Sequence, residues 1–324
     1  MTVLIVTHSG DNPAPGRVAA AVRARDGTVI RLDSDQFPAA VGAAVDPTRG
    51  SGTLRLPSGT LSLDAIKATW VRRLAVGHGL SVAGLGLAER AACIGESRAA
   101  LRAMLDGLVS PMLGRPWAVE RARDKLWQLR VASGLGLDVP ATRVTNDPSA
   151  VRALAARHSG GLVAKMLHSF SLPTPDGPRV VHTHRLGPAD LDDLGGLAAS
   201  PMVFQQAITA VRELRAVVVG ERVMVAGLPR EDRAPVDWRR DARRLMTRWG
   251  PATLPGPTVH RLIALCQALG LAHASVDMLE DADGRLWFLE LNPAGEWLWL
   301  EEIAGLDVSG ALADALLSGV GDPG

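Results

Sequence analysis

Three oxygen-bearing side chains near the carboxyl end of the chain form a pattern that could hold a divalent cation. Asp277 lies in a short apolar segment, and Glu290 and Asn292 close the next one, after an intervening Asp-Gly turn. Such a turn favours a β-hairpin, and side chains two residues apart on a strand point to the same face. The hairpin would therefore bring Asp277 alongside Glu290 and Asn292. A hard cation would offset the desolvation cost of burying these groups, so we expect them to bind Mg²⁺.

An acidic hairpin that faces solvent is the alternative. The expected strands, residues 276–279 and 286–291, argue against it, because the second contains Trp287, Phe288 and Leu289. A short, nearly continuous apolar run is typical of a buried strand. The pattern therefore favours a buried metal site.

Lysine is rare in this sequence, which makes its positions informative. Only three of the 35 basic residues are lysine, namely Lys67, Lys125 and Lys165. An ammonium is a compact point charge on a flexible stem, whereas a guanidinium is a wide planar fork. A lysine in this chain therefore indicates a site that requires a point charge, such as a narrow slot for nucleotide phosphates.

The composition limits the classes of function. The chain has 324 residues, a formal net charge of +1 and two cysteines. That length suffices for two or three modest lobes, each with its own core. Balanced charge creates no field that attracts nucleic acid or an anionic membrane, and two cysteines give no disulfide framework. With no signal peptide and no spanning segment, we expect a cytoplasmic protein without a nucleic-acid or membrane partner.

The spacing of Asp277, Glu290 and Asn292 is similar to the metal-binding signature of the ATP-grasp ligases, such as the D-alanine–D-alanine and RimK-like ligases. Residues 291–297, LNPAGEW, resemble the end of the catalytic domain in the maturases that cyclise ribosomal peptides of the microviridin, or graspetide, type. The resemblance covers nearly the whole chain. It implies an ADP-forming ligase that uses ATP and Mg²⁺ to join a carboxylate to an alcohol or an amine.

The resemblance also implies an α/β (α+β) fold of the ATP-grasp type in three parts. Residues 1–115 would form an N-terminal pre-ATP-grasp lobe, 116–205 a central lobe and 206–324 the C-terminal catalytic lobe, with the nucleotide between the last two. The pattern of residues 3–32, a strand, a helix and a strand, fits a small parallel sheet at the start. A single amphipathic helix is expected over 120–135, with Leu126 and Leu129 in the core.

In the nucleotide site, the resemblance assigns phosphate contacts to Lys125 and Lys165 and stabilisation of the transferred phosphoryl group to Arg215. Glu213, on the same strand face as Arg215, would accept hydrogen bonds from the ribose. Adenine would lie against a hinge of four residues, namely Gln205, Gln206, Ala207 and Ile208. The family usually has Gln-Glu in this hinge, and the carboxamide of Gln206 can still accept a hydrogen bond.

Two further motifs of the family are associated with the substrate. Trp70, Arg72 and Arg73 match a Trp/Tyr-Arg-Arg element; the arginines alternate on a strand, so only one would face the cleft, and solvation is the alternative. The second motif is D-W-R, at Asp237, Trp238 and Arg239. It lies within residues 229–248, which contain seven arginines. This segment is a candidate docking surface for an acidic peptide, or a solvated helix face. Residues 168–178 are expected to form a loop over the phosphates.

Three functions fit these observations. The first is a macrocyclase that joins Asp or Glu side chains of a precursor peptide, which has a leader and a core, to Ser, Thr or Lys side chains through an acyl phosphate. The second is a RimK-like ligase that adds amino acids to a carboxylate. The third is a nucleotide-binding protein without ligase activity, which the intact metal positions disfavour. A homodimer is left open.

Overall fold

The computed structural model describes residues 1–77, 84–167, 171–172, 179–180, 183–230 and 242–323. These residues form an α/β structure with five sheets. No helix within these ranges is long and apolar enough to cross a membrane. The α/β class and the opening βαβ unit predicted from the sequence are confirmed.

The N-terminal part contains a parallel sheet in the order β2-β1-β6-β7 and a small antiparallel sheet in the order β3-β4-β5. Its elements are β1 (Thr2–Thr7), α1 (Ala14–Arg23), β2 (Thr28–Asp33), β3 (Gly42–Asp46), β4 (Ser51–Leu56), β5 (Gly59–Ser62), β6 (Ala68–Val71), α2 (Leu87–Asp106) and β7 (Met112–Leu113). The inner strand β1 is almost wholly apolar and buried, as expected for a parallel sheet covered on both faces.

The central part contains an antiparallel sheet in the order β12-β9-β13-β8, with a separate two-stranded ribbon, β10-β11. Its elements are α3 (Pro116–Ala122), α4 (Lys125–Gly134), β8 (Thr142–Thr145), α5 (Pro148–Arg157), β9 (Leu162–Lys165), β10 (Ser171–Leu172), β11 (Arg179–Val180), β12 (His184–Arg185), α6 (Pro188–Asp192) and β13 (Met202–Gln206). One face of the four-stranded sheet packs against α5 in a core of its own.

The C-terminal part is built on a five-stranded antiparallel sheet in the order β16-β15-β14-β17-β18. Its elements are β14 (Ala210–Val219), β15 (Arg222–Pro229), α7 (Ala242–Leu245), β16 (Gly250–Ala252), α8 (Gly256–Ala268), β17 (His273–Asp281), β18 (Leu286–Asn292), α9 (Leu298–Ala304) and α10 (Val308–Ser318). The central strand β14 is buried along most of its length. It is the strand on which the candidate site is built.

The predicted helix over residues 120–135 is two helices, α3 and α4. Asp124 lies between them, and its carboxylate accepts hydrogen bonds from the backbone N–H groups of Leu126 and Trp127. An N-cap of this kind starts a new helix. The new start changes the buried face of α4, so that Leu126 is exposed while Gln128 and Ala132 are buried.

Helix α10 packs between the parallel N-terminal sheet and the five-stranded C-terminal sheet. Leu312 and Leu316 on this helix are fully buried in one core with Ile5 and Trp70 of the N-terminal sheet and Val217 of β14. The N-terminal and central parts have cores of their own, as expected, but this core is shared, because one helix covers both the N-terminal and the C-terminal sheet. The N-terminal and C-terminal parts are held together by shared apolar burial.

Two titratable side chains are buried near the start of β17. Burial lowers the pKa of His273 from 6.5 to about 4, although a hydrogen bond between its Nδ1 and the Val218 carbonyl opposes this. Burial raises the pKa of Asp322 from 3.8 to about 6, against hydrogen bonds that its carboxylate accepts from the backbone N–H groups of Ala272 and Arg115. In the folded chain, burial therefore shifts the protonation equilibrium of each group toward its neutral form.

These two residues give opposite pH dependence. The unfolded chain binds more protons at position 273 between pH 4 and 6.5, so His273 makes stability rise with pH in that window. The folded chain binds more protons at position 322 between pH 3.8 and 6, so Asp322 makes stability fall with pH there. Each contribution is on the order of 3 kcal/mol, so the two should nearly cancel in the wild-type chain.

We expect Asp322→Asn to remove this cancellation, so that the free energy of unfolding rises between pH 4 and 6.5. Urea titrations at several pH values would measure the change in slope. Asp314→Asn is the control, because the pKa of Asp314 lies below 3.8 and outside this window. Parallel profiles for the wild type and Asp322→Asn would contradict the assignment.

Candidate functional site

The predicted hairpin is present, and its register brings the three predicted metal-binding residues together. Strands β17 and β18 pair antiparallel, with Asp277 directly opposite Glu290 and Ser275 opposite Asn292. Paired residues, and residues two apart, share one face of a sheet. Leu289 is an extra residue between two paired positions, which makes a β-bulge next to Glu290. Asp277, Glu290 and Asn292 therefore lie on one face, as the sequence indicated.

Each carboxylate of this cluster faces a basic side chain. Arg215 lies opposite Asp277 on β14, and its Nη1 donates to Asp277 Oδ1 at 2.5 Å. Lys125, the first residue of α4, has its Nζ 3.0 Å from Glu290 Oε2. Arg215 is buried, so its charge and that of Asp277 compensate each other's desolvation. Two basic residues predicted to act on phosphate are thus beside the predicted metal ligands.

The donor set fits a magnesium ion. Mg²⁺ prefers oxygen ligands and is usually held by one or two carboxylates together with water and substrate phosphates. Asp277 and Glu290 supply the carboxylates, and Asn292 supplies a carboxamide oxygen. Within the described part of the chain, no group of three or more His, Cys, Asp or Glu side chains is placed to hold a metal ion. On the same face, Ser275 Oγ and Arg215 Nε are buried without a hydrogen-bond partner among the described residues.

Gln128 supports this cluster, although sequence analysis did not select it. Its side-chain amide donates to the carbonyl of Leu291 at 2.7 Å and accepts from the N–H of Leu291 at 2.8 Å. It also donates to the carbonyl of Ala122 at 2.7 Å. Gln128 therefore fixes β18 between Glu290 and Asn292 and joins it to the helix that carries Lys125. The available signal was a glutamine inside an otherwise helical apolar run.

Lys165 and Gln205 meet on the central sheet. Lys165 lies opposite Val203, two residues before Gln205, so the two side chains share a face. The Lys165 Nζ donates to Gln205 Oε1 at 2.7 Å, and Gln205 Nε2 donates to Thr142 Oγ1 at 3.0 Å. The buried Gln205 is thus a fixed hydrogen-bond partner for the predicted phosphate-binding lysine. The contact orients the Lys165 side chain through a partner that carries no charge.

The predicted adenine hinge continues from the end of β13. The Gln206 N–H donates to the Ala141 carbonyl at 2.8 Å, and the Ala207 N–H donates to the Gly161 carbonyl at 3.0 Å. The side-chain oxygen of Gln206 lies 3.5 Å from the Ala141 nitrogen. Ile208 is half-buried. These contacts fix the hinge backbone, and the assignment of the four hinge residues to adenine stays a prediction.

Glu213 lies on the same strand face as Arg215, as predicted, but it pairs with a residue expected elsewhere. Arg230 donates from its Nη1 to Glu213 Oε1, and both side chains are almost buried. Arg230, directly after β15, is therefore not on the exposed face that both interpretations of residues 229–248 required. The role of Glu213 toward a ribose stays a prediction.

Arg72 and Arg73 lie beyond the end of β6, so the expected alternation, with only one arginine facing the cleft, does not occur. Both donate to the carboxylate of Glu296. Both also contact Asp11, at 3.0 and 3.4 Å. The Arg72 side chain is 2% exposed and that of Arg73 is 37% exposed. Of the two predicted substrate-binding arginines, Arg73 is the accessible one.

Asp11 holds this arginine pair in place. Burial alone would raise the pKa of Asp11, but the Thr7 hydroxyl, the Arg72 charge and other donors outweigh burial and hold the pKa below its usual value. Burial also lowers the pKa of Arg72, against the attraction of Asp11. Because an arginine keeps its proton even when buried, both partners stay charged. Asp11 and Arg72 thus form an internal ion pair that joins the loop after β1 to the residues just after β6.

The D-W-R motif, Asp237, Trp238 and Arg239, lies outside the described residues, as do most of the predicted phosphate loop and docking segment. Those assignments stay predictions.

Comparison with known proteins gives a family match and whole-chain structural matches. Residues 2–120 match the model of the MvdD pre-ATP grasp domain. The chain is similar to the macrocyclase MdnC bound with precursor peptide MdnA from Microcystis aeruginosa, with 33% identity, a TM-score of 0.86 and coverage of 98% of this chain and 100% of that one. It is also similar to a Chryseobacterium gregarium RiPP-associated ATP-grasp ligase in complex with ADP, a leader and a core peptide. That match has 30% identity, a TM-score of 0.92 and coverage of 99% and 98%.

A second kind of relative matches a smaller part. The ribosomal protein bS6–L-glutamate ligase of Salmonella paratyphi B is 30% identical over 220 residues, which cover 66% of this chain and 69% of that protein.

We expect Asp277→Ala to abolish the gain in ADP affinity that Mg²⁺ provides. Even the outer partners of metal ligands contribute about 10–100-fold to metal affinity, and a direct ligand should contribute at least as much. Calorimetric titrations of ADP with and without Mg²⁺ would measure that gain separately from any effect of the released Arg215.

Glu280→Ala is the matched control for this experiment. Glu280 is a carboxylate on the same strand, and it pairs with Arg212 of β14 at 2.6 Å. Its loss should leave the magnesium-dependent gain unchanged. A wild-type gain in Asp277→Ala would mean that Asp277 is not a metal ligand.

Proposed function

This chain is an ATP-dependent ligase that belongs to the ATP-grasp family, in the group of ribosomal-peptide maturases, and from that membership we propose that it macrocyclises a ribosomally made precursor peptide. The bonds would join Asp or Glu side chains to Ser, Thr or Lys side chains. One observation carries this choice: the similarity to peptide macrocyclases at 30–33% identity extends over 98–99% of the chain. The match to the glutamate ligase covers 66% of it.

The proposed reaction has two steps. An oxygen of the substrate carboxylate attacks the γ-phosphorus of ATP, and ADP leaves, which gives an acyl phosphate. A hydroxyl or amino group then attacks the carbonyl carbon, phosphate leaves with one of the original carboxylate oxygens, and the nucleophile loses its proton. Each bond therefore removes one water from the peptide. Such a reaction depends mainly on positioning and on neutralising charge.

The side chains of the site fit these needs. Asp277, Glu290 and Asn292 would hold Mg²⁺, which neutralises phosphate charge when it is bound. Lys125 and Lys165 would contact further phosphate oxygens; each lies on a fixed element and is directed by a hydrogen-bonding or ionic partner, Glu290 or Gln205. Both side chains are partly exposed, so phosphate oxygens could replace these partners.

Arg215 would stabilise the transferred phosphoryl group and the acyl phosphate. It lies between Asp277 and the turn after β18, and its buried Nε has no partner among the described residues. A buried guanidinium with a spare donor is suited to an anion that is present only during the reaction. A planar fork can bind two oxygens of one phosphoryl group at once.

The nucleotide and the peptide would contact different sets of residues around this charge cluster. Adenine would lie against Gln205, Gln206, Ala207 and Ile208, and Glu213 would face the ribose. For the peptide, we propose Arg73 as the contact of the Trp-Arg-Arg element, because it is more exposed than Arg72. Asp237, Trp238 and Arg239 are further proposed contacts for the leader and core of the precursor.

A RimK-like activity is the second candidate. The 30% identity to a ribosomal protein glutamate ligase supports it. That reaction would activate a carboxylate in the same way but use the amino group of a free amino acid as the nucleophile. It needs the same phosphate-binding residues, so the difference lies in the acceptor.

Mass spectrometry would separate the two functions. We expect that incubation with ATP, Mg²⁺ and an acidic precursor peptide encoded beside the gene will lower the peptide mass by one water for each bond. A peptide whose Ser, Thr and Lys residues are replaced by Ala should keep its mass. A gain equal to an amino-acid residue, seen only when free amino acids are supplied, would overturn the macrocyclase proposal and support the RimK-like one.

A further inference from the structure

Residues 293–297, here called the strap, connect β18 to α9 and carry Glu296 at the junction of the N-terminal and C-terminal parts. Three N-terminal side chains hold its carboxylate. Arg72 Nη2 lies 3.0 Å from Glu296 Oε2, Asn12 Nδ2 donates to the same oxygen at 2.6 Å, and Arg73 donates to Oε1. A side chain from the catalytic strand region is thus anchored to the other half of the molecule.

The same strap lies directly on Arg215. The Glu296 carbonyl accepts a hydrogen bond from Arg215 Nη2 at 3.3 Å. Gly295 passes so close that a Cβ there would lie 2.5 Å from Ser275 Oγ and 3.1 Å from Arg215 Nη2. The approach of the strap to Arg215 therefore requires a glycine. The strap thus packs against the side chain of Arg215, next to its contact with Asp277.

From these two sets of contacts we propose that Glu296 is a positioning residue: it ties the strap to the N-terminal part, and the strap fixes the guanidinium of Arg215 toward the transferred phosphoryl group. The proposal rests on the proposed function, where Arg215 has that role. The Arg215 side chain has several rotatable bonds, and within the described part of the chain its terminal nitrogens donate to Asp277 and to the Glu296 carbonyl. Without the contacts of the Glu296 carboxylate, the strap could move, and the guanidinium of Arg215 would move with the Glu296 carbonyl to which it donates.

The contacts of the Glu296 carboxylate differ from an ordinary ion pair between the N-terminal and C-terminal parts. Arg17 and Glu302 also join the two parts, with 3.1 Å between Nη2 and Oε1, but both side chains are exposed. Trp297, at the end of the strap, is fully buried, and Arg72 lies over its ring at 5.9 Å. Glu296 therefore belongs to a packed unit that includes the strap, while the Arg17–Glu302 pair offers a matched control.

Two measurements test the proposal. The first is hydrogen–deuterium exchange of peptides that cover residues 293–299, which reads strap mobility without any ligand or turnover. The second is peptide-dependent ADP release, from which kcat and the KM for ATP are obtained separately. Variants are Glu296→Ala, Glu296→Gln and Gly295→Ala, and the control is Glu302→Ala.

We expect Glu296→Ala to speed exchange in residues 293–299 and to lower kcat about 100-fold, the loss typical of a misplaced catalytic group. The KM for ATP should stay within about twofold, since the ligands of the nucleotide are intact. Glu296→Gln should restore most of kcat, because its carboxamide oxygen still accepts from the arginines. Gly295→Ala should show the same loss of kcat with Glu296 intact.

Wild-type exchange and kcat in Glu296→Ala would overturn the proposal. So would equal losses of kcat in Glu296→Ala and Glu302→Ala, since that result indicates only lobe attachment. If the wild-type protein extends peptides by amino acids instead of cyclising them, the macrocyclase proposal fails, yet the exchange and kcat comparison still decides the role of Glu296.

Discussion

The antiparallel register of β17 and β18 is the constraint on which the rest of the site depends. It places Asp277 opposite Glu290 and so brings two carboxylates together on a sheet face. Two negative charges on paired residues repel each other, and partial burial adds a desolvation cost. The structure offsets both with Arg215 from β14 and Lys125 from α4. A slip of one residue would turn Glu290 and Asn292 to the apolar side of the sheet.

The second level of organisation holds the elements that carry these charges. Gln128 bonds both backbone groups of Leu291 and so locks α4 to β18. On the other side, α10 shares one apolar core with the N-terminal and C-terminal sheets. The apolar core holds the N-terminal and C-terminal parts together. The contacts of Arg72 and Arg73 with Glu296 fix the strap to the N-terminal part. Apolar burial stabilises this junction, while the hydrogen bonds and ion pairs, which depend on orientation, fix the position of the strap.

The sequence predicted the hairpin well because its information is local. An Asp-Gly turn and two apolar runs are enough to predict the hairpin and its strands. The β-bulge at Leu289, which brings Glu290 to the face of Asp277, was not predicted. The same kind of local pattern predicted the opening βαβ unit. The break at Asp124 was missed because an N-cap within a helical pattern changes the buried face without interrupting the periodicity. The contacts of Glu296, Gln128 and Arg230 could not be predicted, because each depends on a partner brought by tertiary packing.

Transfer of oxygen from the peptide to phosphate would show directly whether this site activates a side-chain carboxylate as an acyl phosphate. A precursor peptide with ¹⁸O in its Asp and Glu carboxyl groups would be incubated with unlabelled ATP and Mg²⁺, and the released phosphate would be analysed by mass spectrometry. We expect one labelled oxygen in the phosphate for each bond formed. Bond formation with unlabelled phosphate would contradict activation as an acyl phosphate.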